Sequence, residues 1–179
     1  MENQRIRITK RMLKEALIRL LGQKAIEKIK VRELCQEAQI NRTTFYKYYG
    51  NQFDLMNEIK NEFLNQLEMH FENDDDPKNL VNVLSYINEQ REICLALIQT
   101  LSDDSFLKSI IGLSYITTEL EQGLSSRYEG IRKEYANEFL LHGAYAVLRR
   151  WLYSDSPETP EFIADVIMEM AGRLCADGK

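Results

Sequence analysis

Residues 29–55 read IKVRELCQEAQINRTTFYKYYGNQFDL, and the way helix formers alternate with breakers in that string decides the fold. Val31, Leu34, Cys35 and Ala38 recur at helical spacing, which predicts a short amphipathic helix over about 31–38. Gln39-Ile40-Asn41 leaves room only for a tight turn. Asn41 suits the N-cap of a third helix, RTTFYKYY, in which Phe45 and Tyr49 face inward at i, i+4. Gly50-Asn51 breaks that helix. Asn51 then caps a fourth, with Phe53 or Leu55, Ile59, Phe63 and Leu67 down its apolar side. Helix, three-residue turn and helix make a helix-turn-helix, in which the first helix braces the second and the outer face of the second enters the DNA major groove.

The pattern of inner and outer residues fits that use. Val31, Leu34, Ala38, Ile40, Phe45 and Tyr49 form the inner set, and Arg42, Thr43, Thr44, Lys47 and Tyr48 the outer one. Small threonines let the backbone approach base edges, where methyl and hydroxyl meet thymine methyls or base acceptors. Arg42 and Lys47 suit guanine edges or phosphates, and a tyrosine hydroxyl such as that of Tyr48 bonds phosphate oxygens.

Charge is distributed in the same sense. The chain of 179 residues carries a formal −5, yet residues 1–55 hold twelve of the 23 Lys and Arg and only six of the 28 acids. The head is therefore +6 and the remainder −11, the asymmetry expected when one part meets a polyanion.

Outward from the motif, Ile8, Met12, Leu13, Ala16, Leu17, Leu20 and Leu21 make a first helix over 7–21. Gly22 follows where helices commonly end in the left-handed conformation. ENDDDP at 72–77 reads as a linker, with Asp76-Pro77 starting the next helix. His70 and the aspartates after it read as a solvated acidic stretch rather than a cation site. Leu80, Val83, Leu84 and Ile87 continue helically to a kink near Arg91, followed by ICLALIQTL. Ser102-Asp103-Asp104-Ser105 caps a helix through Phe106, Ile110 and Leu113. A long helix covers about 127–153, and Thr159-Pro160 starts a last one bearing Phe162, Ile163, Val166, Ile167, Met170 and Leu174.

Eight glycines, three prolines and no alternating strand run place the chain in the all-α class. At 44% hydrophobic and 28% charged residues it is an ordinary globular composition, with no apolar run long enough to span a bilayer. Three widely spaced cysteines without CxxC, and an N-terminus lacking a secretory apolar core, suit reduced thiols and a cytoplasmic location. Two histidines, with no nucleophile elbow and no P-loop, argue against an enzyme, a metal site or a cofactor.

Residues 29–55 also resemble the signature of TetR/AcrR-type bacterial transcriptional regulators. The resemblance is carried by Val31, Leu34, Ala38, Ile40, Arg42, Thr44, Phe45, Tyr46, Tyr49 and Leu55. Within that family the chain is similar to the Gram-positive group related to the dihydroxyacetone-kinase regulator. The resemblance implies base or groove contacts from Arg42, Thr43, Thr44 and Lys47. It further implies phosphate contacts from Tyr46, Tyr48, the start of the second helix at Lys30, and the helix start at Gln52. Two positions depart from the family pattern. Gln39 stands where a turn glycine is usual, which calls for a left-handed backbone at some cost or a slightly different turn. Gln52 replaces a lysine and removes one charged phosphate contact.

The same resemblance implies a DNA-binding domain over 1–50 and an effector-binding and dimerisation domain over 51–179, with 51–71 as connecting helix. It implies a homodimer on a palindromic site, built from the last two helices. Gly143, Ala144, Ala146 and Val147 suit close helix approach there, and Trp151, Phe162, Val166 and Met170 suit buried area. An effector pocket for a small molecule would draw on Tyr86, Cys94, Phe106, Tyr115, His142 and Tyr145. The expected function is a ligand-responsive repressor binding double-stranded DNA. The rival is a coactivator of the same fold that works through a protein partner, a reading motivated by Gln39, Gln52 and the acidic body.

Overall fold

The computed structural model describes residues 4–69, 79–100, 106, 110, 128–155 and 158–175. The linker at 70–78, the cap at 102–105, most of the helix expected beyond it, and Tyr115 lie outside the described residues. All regular structure among the described residues is helical, as the all-α reading requires. In chain order the helices are α1 (Gln4–Leu21), α2 (Val31–Glu37), α3 (Arg42–Phe45), α4 (Gln52–Met69), α5 (Asn79–Glu89), α6 (Arg91–Thr100), α7 (Ile131–Leu152) and α8 (Pro160–Cys175), with a 3₁₀ turn at Ile26–Lys28. They belong to two compact units, one of residues 1–63 with 92–102, the other of residues 64–91 with 103–179.

The first unit is built around α1. Leu13, Ala16, Leu17, Leu20 and Leu21 are buried on its inner face, whereas Ile8, expected on the same stripe, is exposed. The stripe outruns its partners at the first turns of the helix. The helix stops at Leu21, next to Gly22, but without left-handed backbone there. Against this face pack Leu34, Cys35 and Ala38 of the second helix region, Phe45 and Tyr49 of the third, and Leu55, Met56, Ile59 and Phe63 of α4. Phe53, the alternative to Leu55, is exposed.

In the second unit α5 and α7 both pack on α8. Its core includes Leu80, Val83, Leu84, Ile87, Phe106, Ile110, Leu140, Leu148, Trp151, Leu152, Ile163 and Ile167. Trp151 is buried with its indole N–H donating to the Glu158 carbonyl at 2.7 Å. The kink expected near Arg91 is a full break between α5 and α6. There the Arg91 guanidinium donates to the carbonyls of Trp151 (3.3 Å), which also accepts from the Ser154 amide, and Ser154 (2.6 Å), tying the break to the end of α7. Thr159 opens α8 as expected, its hydroxyl accepting from the Phe162 amide at 3.3 Å, with Pro160 at the first helical position.

Asn51 Oδ1 accepts from the amides of Phe53 (2.8 Å) and Asp54 (3.1 Å) at the start of α4. Asn51→Ala should therefore lower stability by about 1 kcal/mol, and Asn51→Gly by only a few tenths. In a thermal melt of the full chain the alanine variant should lose about 2–4 °C.

Candidate nucleic-acid interface

The turn between α2 and α3 closes by two backbone bonds. The Ile40 amide donates to the Cys35 carbonyl at 2.9 Å and the Gln39 amide to the Gln36 carbonyl at 3.1 Å. This is the Schellman pattern, and it demands a left-handed residue just past the helix. Gln39 takes that conformation, φ 54°, the one described non-glycine residue to do so. A side chain there costs about 1–2 kcal/mol relative to an ordinary backbone. Of the two expectations for Gln39, the left-handed backbone is the one observed.

Asn41 then caps α3, its Oδ1 accepting from the Thr43 amide at 2.9 Å. The third helix is shorter than its expected span to Tyr49. Regular α structure stops at Phe45, and the chain tightens through Lys47 N to Thr44 O (3.3 Å) and Tyr48 N to Phe45 O (2.9 Å). Such i→i+3 bonds end helices in a 3₁₀ turn. Phe45 anchors the segment, its ring 5.5 Å from those of both Tyr46 and Tyr49. At the far end the Asp54 carboxylate accepts from the Gly50 amide at 2.8 Å. A Cβ on Gly50 would come within 2.9 Å of that oxygen, so a larger residue there would have to displace the Asp54 carboxylate.

With the inner residues so held, Arg42, Thr43, Tyr46 and Lys47 are exposed, and Thr44 and Tyr48 half-buried. Tyr46 is 51% exposed and so stands outside the core. Lys30, at the N-cap of α2, is exposed. Gln52 is half-buried, its side-chain amide directed back to the Ile26 carbonyl at 3.5 Å.

Several other cations of the head pair with carboxylates, although Arg7, Lys28 and Arg32 do not among the described residues. Lys14 Nζ reaches Glu58 (2.7 Å) and Glu62 (2.5 Å), and Lys10 reaches Glu58 (3.4 Å), joining α1 to α4. Arg19 holds Glu37 at 2.8 Å, and Lys24 pairs with Glu33. Among the described residues Lys30, Arg42 and Lys47 have no carboxylate partner. The cations of the outer face thus keep their charge for something outside the chain. Sequence reading did not find the Lys–Glu clasp. Its signal was available in Lys10 and Lys14, and Glu58 and Glu62, two i, i+4 pairs of opposite sign on separate helices. The thiol of Cys35 is pushed up by burial, against a smaller pull from the Arg42 charge, which leaves it unreactive.

In the second unit Phe106 is buried, Tyr86 and Tyr145 half-buried, and His142 exposed, 3.2 Å from Glu138 one turn away. Cys94 is buried in the first unit. On α7 the exposed apolar residues are Ile131, Tyr135 (72%) and Phe139 (68%), with Gly143 and Ala146 continuing the same face. On α8, Phe162 (54%) and Met170 (62%) are exposed and Val166 lies between them at i, i+4 spacing. Val147 is half-buried, as is Ala144, and Trp151 lies in the core of its own subunit. A Cβ on Gly143 would meet nothing within 4 Å.

Comparison with known proteins adds the family. Residues 13–59 match the family described as bacterial regulatory proteins, tetR family, and residues 74–173 match a transcriptional regulator C-terminal region of the same family. The chain belongs to the TetR family. It is thus a transcriptional regulator of helix-turn-helix type, from a family of DNA-binding proteins and not of enzymes. An uncharacterised HTH-type transcriptional regulator, YxbF of Bacillus subtilis strain 168, is 22% identical over 171 residues, 90% of this chain and 44% of its own. The chain therefore spans less than half the length of that curated relative. A TetR transcriptional regulator from Streptococcus agalactiae 2603V shares the fold with TM-score 0.64 at 23% identity, over 94% of this chain and 96% of its own. The dihydroxyacetone kinase operon activator DhaS does so with TM-score 0.60 at 19% identity, over 92% and 94%. No helix among the described residues is long and apolar enough to cross a membrane.

Burial pushes the Glu58 carboxyl up, but the Lys14 hydrogen bond and the Lys14 and Lys10 charges outweigh it and hold it below its ordinary 4.5. A carboxylate lowered by folding stabilises the fold above its unfolded value, and the contribution is lost as pH falls through the lower folded value. Glu58→Gln should therefore cost about 1 kcal/mol at neutral pH. In urea titrations the gap from wild type should close as pH drops below 4.5.

Proposed function

We propose that this TetR-family regulator is a ligand-responsive repressor that binds a palindromic operator as a homodimer. The reading rests above all on the outer face of the α2–α3 unit, where Lys30, Arg42 and Lys47 have no carboxylate partner among the described residues. In this reading Arg42, Thr43, Thr44 and Lys47 meet base edges and groove, and Tyr46, Tyr48, Lys30 and the start of α4 at Gln52 meet phosphates. Residues 1–50 act as reading head and residues 51–179 as effector-binding and dimerisation domain, linked by the helix over 51–71. In this reading the operator overlaps the promoter, so its occupancy excludes polymerase.

Dimerisation is supported by the exposed apolar residues of α7 and α8, which a solvated monomer gains nothing by displaying. Tyr135, Phe139, Gly143, Phe162, Val166 and Met170 would form the contact, with Val147 at its margin and Trp151 as the core beneath it. A two-fold pair also matches what DNA reading needs, because one helix-turn-helix spans too few base pairs. A small-molecule effector would be held within the second unit, with Tyr86, Phe106 and Tyr145 as its candidate contacts. It would act by binding better to a conformation in which the two recognition helices no longer fit successive major grooves. The coactivator reading is motivated by Gln39, Gln52 and the acidic body, and Gln39 gives it no support, since it sits in a bonded helix-turn-helix turn.

The test is a binding titration against DNA from upstream of the protein's own gene, with random duplex as competitor, at two salt concentrations. Preferential binding, weakened by salt and saturating at two protomers or more per site, is the expected result. Equal affinity for random duplex, with the same outcome for DNA from the neighbouring genes, would overturn it. Lys47→Ala should weaken binding and reduce the salt slope by about 1 if it neutralises a phosphate. Thr44→Ala should cost about 1 kcal/mol and relax preference at one base pair. Phe139→Glu should yield a folded monomer in sedimentation equilibrium, because its side chain lies outside the subunit core.

A further inference from the structure

We propose that Gln39 is itself a DNA-contacting residue, its side-chain amide donating to a backbone phosphate of the operator. This rests on the operator-binding reading above and adds to it a position that the TetR resemblance assigns only to the turn. Three observations lead there. The backbone at Gln39 is left-handed, φ 54°, where glycine would be unstrained. The Schellman turn requires that backbone but not a side chain, so the glutamine stands there at a cost the turn itself does not ask for. The side chain is exposed and makes no hydrogen bond among the described residues, so its amide is a free donor.

The third observation is the place. Gln39 lines an open groove of about 580 Å3, with Asn41 and Thr44 on its own side and Arg5 and Thr9 of α1 on the other. Among the described residues no carboxylate lines that groove. A second groove along α1, by contrast, contains Glu58 and Glu62. A channel whose described lining carries no carboxylate and offers the side-chain amides of Gln39 and Asn41 beside the Thr44 hydroxyl suits a phosphodiester strand. Thr44 and Asn41 put the channel at the entry of the recognition segment, so a strand running past Thr44 comes within range of Gln39.

The experiment uses the full chain and a duplex that the wild type selects from a random-sequence pool. Gln39→Gly should melt at a higher temperature than wild type yet bind that duplex roughly three- to tenfold more weakly. Its selected consensus and salt slope should be unchanged, because the lost donor is uncharged and reads no base. Gln39→Asn, which also tolerates left-handed backbone but has a shorter reach, should lose affinity too. Gln39→Glu should bind more weakly still, since a carboxylate repels the phosphate. A Gln39→Gly protein that binds as tightly as wild type, or one whose consensus changes, would overturn the proposal. A wild type that selects no sequence would overturn the operator reading first and this inference with it, before any variant is measured.

Discussion

The Ile40 amide donates to the Cys35 carbonyl across 2.9 Å, and Gln39 turns left-handed to let it. Those few atoms set the angle at which the chain leaves α2 and enters α3. The third helix has one regular turn and no capacity to stand alone, because a nucleus that short is unfavourable in water. It is held instead by the Asn41 cap in front, the tightened turn behind and Phe45 driven into the core beneath. Once these are in place, Arg42, Thr43, Tyr46 and Lys47 have nowhere to point but outward.

Electrostatics then separates what holds the head together from what the head offers. The side where α1 meets α4 is held by Glu58, which gathers Lys10 and Lys14 in partly buried pairs. Partly buried pairs of this kind fix register and resist salt better than exposed ones. The recognition side carries its cations bare. A net acidic chain can therefore present a basic surface, and the overall charge of −5 says little about partners.

Much of this could be read from the sequence where the cause is local. The caps at Asn41, Asn51 and Thr159, the turn at 39–41 and the helical stripes depend on neighbours a few residues away, and the structure has them where the residues put them. The end of α3 was misjudged because Phe45 and Tyr49, four apart, are compatible with both a continued helix and a tightened turn. Ile8 was assigned to the core because periodicity records a face and not where the face loses its partner. In α7 both faces carry large apolar side chains, so spacing alone does not separate buried Leu148 and Trp151 from exposed Tyr135 and Phe139. The Lys–Glu clasp joins residues more than forty positions apart, and its only trace is a pair of lysines and a pair of glutamates, each four apart, on different helices. Residue type in the second unit names apolar side chains with polar tips but says nothing of enclosure, which is why His142 emerges on the surface beside Glu138.

The central claim is that two copies of residues 29–55 read DNA together, and hydroxyl-radical footprinting of the full chain on its selected duplex tests it most directly. The account predicts two equal protected patches on one face of the duplex, related by a two-fold and centred about 10–10.5 base pairs, or a multiple of that, apart. A single unsymmetrical patch, or protection that survives when Thr44 and Lys47 are both replaced by alanine, would contradict it.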